Sequence, residues 1–239
     1  MQKPFIQKSL LNNCIHYFLL YFVAIVLFLF AFLIGIAKGS VFIPFSSIIS
    51  ILLVEGMNAP FHAELDPIFT NIILDIRLPR VLLAAFVGAS LAVAGACFQG
   101  LLKNPLADPY TLGVSSGASV GAVSVIFFGI AIPGIESYTL PVMSIVFSFL
   151  TLFAVVMFAR FLQKSMSSET IILVGIVVSA FLSACISLMI ALTGEELRQI
   201  LVWLMGSVGM RGWGYVWIIV PFFFMGAILI YLNARELNA

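Results

Sequence analysis

Long uncharged runs separated by short polar punctuation set the pattern of this chain. The first extends from Tyr17 to Ala37, after Lys3 and Lys8. Others are Val81–Leu102, Pro109–Ile135, Ser137–Ala159, Thr170–Gly194 and Gly212–Ala234, which place spans at about 79–102, 109–132, 138–160, 170–193 and 212–234. Each has about the 20 apolar residues that a membrane-crossing helix needs, so the pattern predicts six spans. Gly35 and Ala37 imitate a small-x-small cleavage site, but the first run exceeds the ~7–15 apolar residues of a signal peptide and reads as an uncleaved span. The stretch 44–54 is too short to cross and is expected to form an interfacial helix. In 194–211, Thr193 and Glu196 have capping-box spacing, and Leu197, Ile200, Leu201 and Leu204 recur at helical intervals. A short surface or re-entrant helix follows from that pattern.

Punctuation residues refine the scheme. Asn104-Pro105 and Asp108-Pro109 each place a capping side chain before a proline, which suits helix starts at an inner turn. Pro133-Gly134 breaks the chain between the third and fourth spans. In the second span Ala84, Gly88, Ala92, Ala96 and Gly100 form an i, i+4 ridge, and in the third Gly113, Gly117 and Gly121 do the same. Lipid gives helices no hydrophobic reason to associate, so such ridges serve close van der Waals packing, with a pathway lining as the alternative. Gln99 can line a pathway or hydrogen-bond between helices.

Composition agrees with a membrane class. Of 239 residues, 63% are hydrophobic and 9% charged, too few charges to cover a soluble surface. A net charge of +1 offers no general surface for nucleic acid. Cys14, Cys97 and Cys185 form no CxxC pair, and the latter two read as small buried apolar residues. His62-x-Glu64-x-Asp66 alternates in a loop and reads as a solvated segment rather than a metal site. Counting basic residues with the N-terminus inside gives six inner (Lys3, Lys8, Lys103, Arg160, Lys164, Arg235) and five outer (Lys38, Arg77, Arg80, Arg198, Arg211). Lys3 and Lys8 before the first span and Arg160 and Lys164 at a short loop favour N-inside. Arg77 and Arg80 then stand on the disfavoured side.

Catalytic motifs find no support. Gly113-Val-Ser115-Ser-Gly117 matches GxSxG, but that motif needs a strand–turn–helix elbow and a histidine, whereas the histidines, His16 and His62, lie at a membrane edge and in a loop. An intramembrane hydrolase using Ser115 is the reading from a different class. No GxxxxGK[ST] phosphate loop occurs, and no span carries an internal acidic or basic residue of the kind proton-coupled carriers use. A transporter of this composition takes its energy from another subunit.

Residues 77–121 resemble the permease family of bacterial ABC importers for iron-siderophores, haem and cobalamin. The resemblance rests on Arg77-Leu-Pro-Arg80, Gly88-Ala89-x-Leu91-Ala92-x-x-Gly95, Gln99, Asn104-Pro105-Leu106-Ala107-x-Pro109 and Leu112-Gly113-x-x-x-Gly117-Ala118, in that order. It continues through Trp203-x-x-Gly206-Ser207 and the sixth span. It implies an all-α membrane fold of about ten helices in the bacterial inner membrane, of which this chain is the N-terminal part. It also implies a second permease subunit, an ATPase subunit binding ATP and Mg, and an extracytoplasmic binding protein. No cofactor is expected in this chain. Docking of the binding protein falls to Arg77 and Arg80, with headgroup anchoring as the competing reading. Ferric siderophore is the expected substrate, with cobalamin or haem second. The family's cytoplasmic coupling segment would follow residues 233–239, which leaves a fragment, a split subunit or a non-functional remnant as readings of the polypeptide.

Overall fold

The computed structural model describes residues 3–57, 66–163, 167–209 and 211–237. His62, Glu64 and Lys164 lie outside them. Among the described residues the chain is helical and contains no strand. In order come α1 (Lys3–Ala37), α2 (Phe45–Met57), α3 (Pro67–Asn71), a π-helical turn (Ile72–Arg77), α4 (Leu78–Leu102) and α5 (Val114–Phe128). After a single 3-10 turn follow α6 (Thr139–Leu162), α7 (Ser168–Leu192), α8 (Leu197–Leu204), α9 (Trp213–Leu232) and α10 (Ala234–Leu237). Five stretches are long and apolar enough to cross a membrane: His16–Ala37, Pro67–Leu102, Glu136–Leu162, Ser168–Leu192 and Trp213–Leu232.

The third expected span, 109–132, is a helix only over Val114–Phe128. Fifteen residues at 1.5 Å rise reach about 22 Å, short of a ~30 Å hydrocarbon core. Two left-handed glycines set the limits. Gly113 (φ 74°) opens the helix, and Gly129 (φ 61°) closes it. The Gly129 N–H donates to Ile126 O and that of Ile130 to Val125 O, the paired bonds of a Schellman stop. Asn104 and Asp108 therefore do not start helices. Asn104 Oδ1 accepts from Leu106 N at 2.9 Å and Asp108 Oδ1 from Thr111 N at 2.8 Å, both inside the turn that precedes α5.

The capping box expected at Thr193 and Glu196 is also absent. Thr193 ends α7, its Oγ1 buried without a hydrogen-bond partner, and Glu196 precedes α8 with no side-chain cap bond. α7 instead starts at Ser167, whose Oγ accepts from Thr170 N.

The chain forms two compact units. In the first (residues 1–85 and 209–219), the end of α1, α2, the π turn and the start of α4 enclose a core. Ile36, Ile43, Ile48, Ile51 and Ile73 are buried there, with Phe32, Phe69, Leu74, Leu78 and Val81 around them. Asp66 caps α3 through Ile68 N at 2.8 Å, and Pro67 occupies the first helical position. Tyr17 to Phe30 of α1 expose bulky apolar side chains, the expected dress of a lipid-facing helix.

In the second unit (residues 86–208 and 220–239), α5 packs along α6 and α7. Gly117, Val120, Gly121, Ala122, Val123 and Ile126 are buried. Val123, Ile126 and Ile200 form one apolar cluster, and Val155, Ala159 and Val174 another.

Candidate docking and translocation elements

Arg77 is buried, 5% exposed, without a carboxylate beside it among its bonded partners. Its Nη1 donates to Ile36 O at 2.9 Å and Ala37 O at 3.0 Å, and its Nη2 donates to Val41 O. The first two acceptors belong to the last turn of α1, where carbonyls lack partners within the helix. The guanidinium is engaged inside the chain, with its donors on carbonyls of α1 and of the turn after it. Arg80 differs. It is half-buried, and its Nε is shielded without a hydrogen-bond partner. Nothing in the spacing of Arg77-Leu-Pro-Arg80 distinguishes the two, because the acceptors of Arg77 lie 36 to 41 residues earlier. One signal was available: α1 has no basic residue in its last turn to serve its carbonyls.

The two small-residue ridges have opposite surroundings. A Cβ on Gly117 would collide with Thr151 Oγ1 and stand 2.8 Å from Phe147 O; one on Gly121 would stand 2.6 Å from Met143 O. A Cβ on Gly113 would stand 2.9 Å from Ser179 Oγ. Gly175 of α7, not singled out by its spacing, has the same constraint: its Cβ would strike Thr111 O and lie 2.9 Å from Leu112 Cα. Ser148 Oγ crosses from α6 to Val114 O at 3.3 Å. These contacts support α5 as the tightly packed helix. On α4, a Cβ on Gly88 or Gly95 would meet no described atom within 4 Å, one on Gly100 would make only an ordinary 3.4 Å contact with Leu237 O, and Ala84, Gly88, Ala92 and Ala96 are exposed.

At the other end of α4, Lys103 takes a left-handed conformation (φ 48°), with Lys103 N bonded to Gly100 O and Asn104 N to Gln99 O. Gln99 Nε2 donates to Pro105 O at 3.1 Å. The amide thus ties α4 to the turn that follows it, and Gln99 stays exposed. The non-helical stretch before α5 keeps Ala107 and Leu112 buried. Thr111 Oγ1 donates to Asp108 O at 2.7 Å, and Gly113 N to Tyr110 O at 3.0 Å. Irregular backbone inside a membrane protein requires this kind of internal satisfaction. Ser115 stands half-buried near the start of α5. No group of three or more potential metal-ligating side chains occurs among the described residues.

A model of the FecCD transport family matches residues 27–239. The chain belongs to that family. It is 49% identical over its whole length to an uncharacterised ABC transporter permease, YvrB of Bacillus subtilis, and covers 66% of that protein. The molybdate import permease MolB of Haemophilus influenzae is 39% identical over 72% of the chain and 50% of its own length. A solved ABC transporter of the metal-chelate type, in an inward-facing conformation, superposes with a TM-score of 0.70 at 30% identity. That match covers 91% of the chain and 62% of the solved one. The chain therefore spans about two thirds or less of the length of these FecCD relatives. They are permease subunits of transporters rather than enzymes.

Proposed function

We propose that this chain supplies the N-terminal part of one permease half in an ABC importer of the bacterial inner membrane, and that its cargo is an iron(III)-siderophore. The observation that carries the reading is the family match over residues 27–239, joined to a fold similar to a metal-chelate type transporter at a TM-score of 0.70. Among the relatives are permeases named for Fe(3+)-citrate in Bacillus subtilis and for Fe(3+) dicitrate in Escherichia coli, which supports ferric chelates as cargo. Others named for cobalamin in Halobacterium salinarum and hemin in Yersinia pestis define the second reading, a cobalt or iron tetrapyrrole.

In this scheme a binding protein delivers the chelate to the outer end of α4, where Arg80 offers a cation to an acidic partner surface. Charge pairs of this kind speed and orient association. A second permease half completes the pathway. Separate ATPase subunits bind ATP and Mg and drive alternating access, with no covalent chemistry in the membrane part. The α5–α6–α7 bundle, locked by Gly117 and Gly121, moves as one body. The N-terminus faces the cytoplasm.

Uptake of radiolabelled ferric siderophore, cobalamin and haem tests the cargo in a strain lacking its own permeases of this class and supplied with the remaining components. Energy-dependent iron accumulation is expected; accumulation of a tetrapyrrole without iron-siderophore uptake would overturn the assignment. Topology reporters fused after residues 103 and 194 should read cytoplasmic and external respectively.

A further inference from the structure

A buried guanidinium without a carboxylate is costly unless its donors are satisfied. Arg77 meets that demand with carbonyls at a helix C-terminus. Ile36 O and Ala37 O lie at the negative end of the α1 dipole, and Val41 O belongs to the turn that follows. Gly39 is one of the three residues between Ala37 and Val41. A Cβ there would stand 2.6 Å from Arg77 Nη2, 2.8 Å from Cζ and 2.9 Å from Nε. Gly39 is not among the glycines with positive φ, so a methyl there meets no backbone constraint of its own and must instead displace the Arg77 guanidinium. From the other side, the π turn that carries Arg77 is held by Trp213, whose Nε1 donates to Leu74 O at 3.0 Å. A π-helical turn is the usual mark of an inserted residue that redirects a side chain.

We infer that Arg77 is a positioning residue, an internal tie that wraps the 38–41 turn around its guanidinium and fixes the end of α1 to the base of α4, while Arg80, three residues on, is the arginine left for a partner. The role of Arg80 rests on the docking reading above; the tie does not.

Two measurements on the full chain in micelles test it. The first is modification by phenylglyoxal, a guanidinium-specific dicarbonyl, followed by peptide mass spectrometry, with exposed Arg198 as the reference. Arg77 should react at least about tenfold more slowly than Arg198, in line with the suppression that burial with three bonded carbonyls imposes. Equal rates would overturn the tie. The second is a double-mutant comparison of thermal unfolding. Gly39→Ala should lower the midpoint by roughly 4 °C or more in the native background and have almost no further effect beside Arg77→Ala, because the added methyl then meets vacated space. Additive shifts would defeat the inference. If Gly39→Ala does not yield folded protein, recovery of folding by the Arg77→Ala partner still supports the tie, and failure to recover contradicts it. Association with the importer's binding protein separates the two readings: Arg80→Gln should slow it and flatten its salt dependence. Arg80→Gln without effect would remove the docking role and leave the tie in place.

Discussion

The small-residue ridges of α4 and α5 share a four-residue spacing, but their glycines end in different surroundings. On α5, Gly117 and Gly121 lie so close to α6 that a single methyl would strike Thr151 Oγ1 or stand 2.6 Å from the Met143 carbonyl. On α4, Gly88 and Gly95 have no described atom within 4 Å of where a methyl would stand. The spacing states that a helix can be approached closely; it does not state what approaches. α1 supplies the contrast. Its open surface carries Phe18, Phe22, Phe28 and Phe30, bulky groups suited to lipid tails, whereas the open face of α4 sets Ala84, Gly88, Ala92 and Ala96 among Val87 and Leu91. The small residues on that face let another backbone approach closely, as the phenylalanines of α1 do not.

Four substitutions break or sharpen this comparison. Gly117→Val should have the largest effect, a loss of more than about 3 kcal/mol, because the Thr151 side chain and the Phe147 carbonyl both occupy the required space. Unfolding in mixed micelles would register it, and a loss below about 1 kcal/mol would mean that α5 and α6 are not locked together. Asp108→Ala removes the acceptor of Thr111 N in the turn that precedes α5 and should cost about 1 kcal/mol by the same assay. Lys103→Gly relieves a left-handed conformation at the end of α4, and a gain of roughly 0.5–1 kcal/mol is expected. The smallest change belongs to Gly88→Ala, the counterpart of the first. In the isolated chain it should be neutral or stabilising by up to about 1 kcal/mol, since helix propensity improves and no neighbour is displaced. A large destabilisation there would show that the α4 ridge is covered within this chain after all.

Much of the fold could be read directly from the apolar runs. The long helices α1, α4, α6, α7 and α9 fall within a few residues of the expected spans, except that α1 extends back to Lys3. α5 could not be sized that way, because residues 109–132 contain no charge to mark its ends. Its boundaries depend on backbone conformation at Gly113 and Gly129, and an apolar run does not reveal which of its glycines turn left-handed. The sequence Phe128-Gly129-Ile130 does carry a Schellman signature, an apolar residue just after the glycine, and that cue would have placed the stop. Thr193 and Glu196 show the reverse problem: capping-box spacing without the geometry, since the chain leaves α7 extended at Thr193 (ψ 149°). Arg77 was the hardest to read. Its motif identifies the family, but its bonds reach back to α1, and no local spacing encodes a contact across 40 residues.

The π turn at Ile72–Arg77 has a consequence for length. One extra residue in a helix advances everything after it by about 100° around the axis. The wider π turn takes up that extra residue where it stands, and the regular helix resumes at Leu78. Substitutions in this segment can be absorbed one at a time, but the loss of one residue would narrow the turn and draw Arg77 away from the carbonyls at the end of α1.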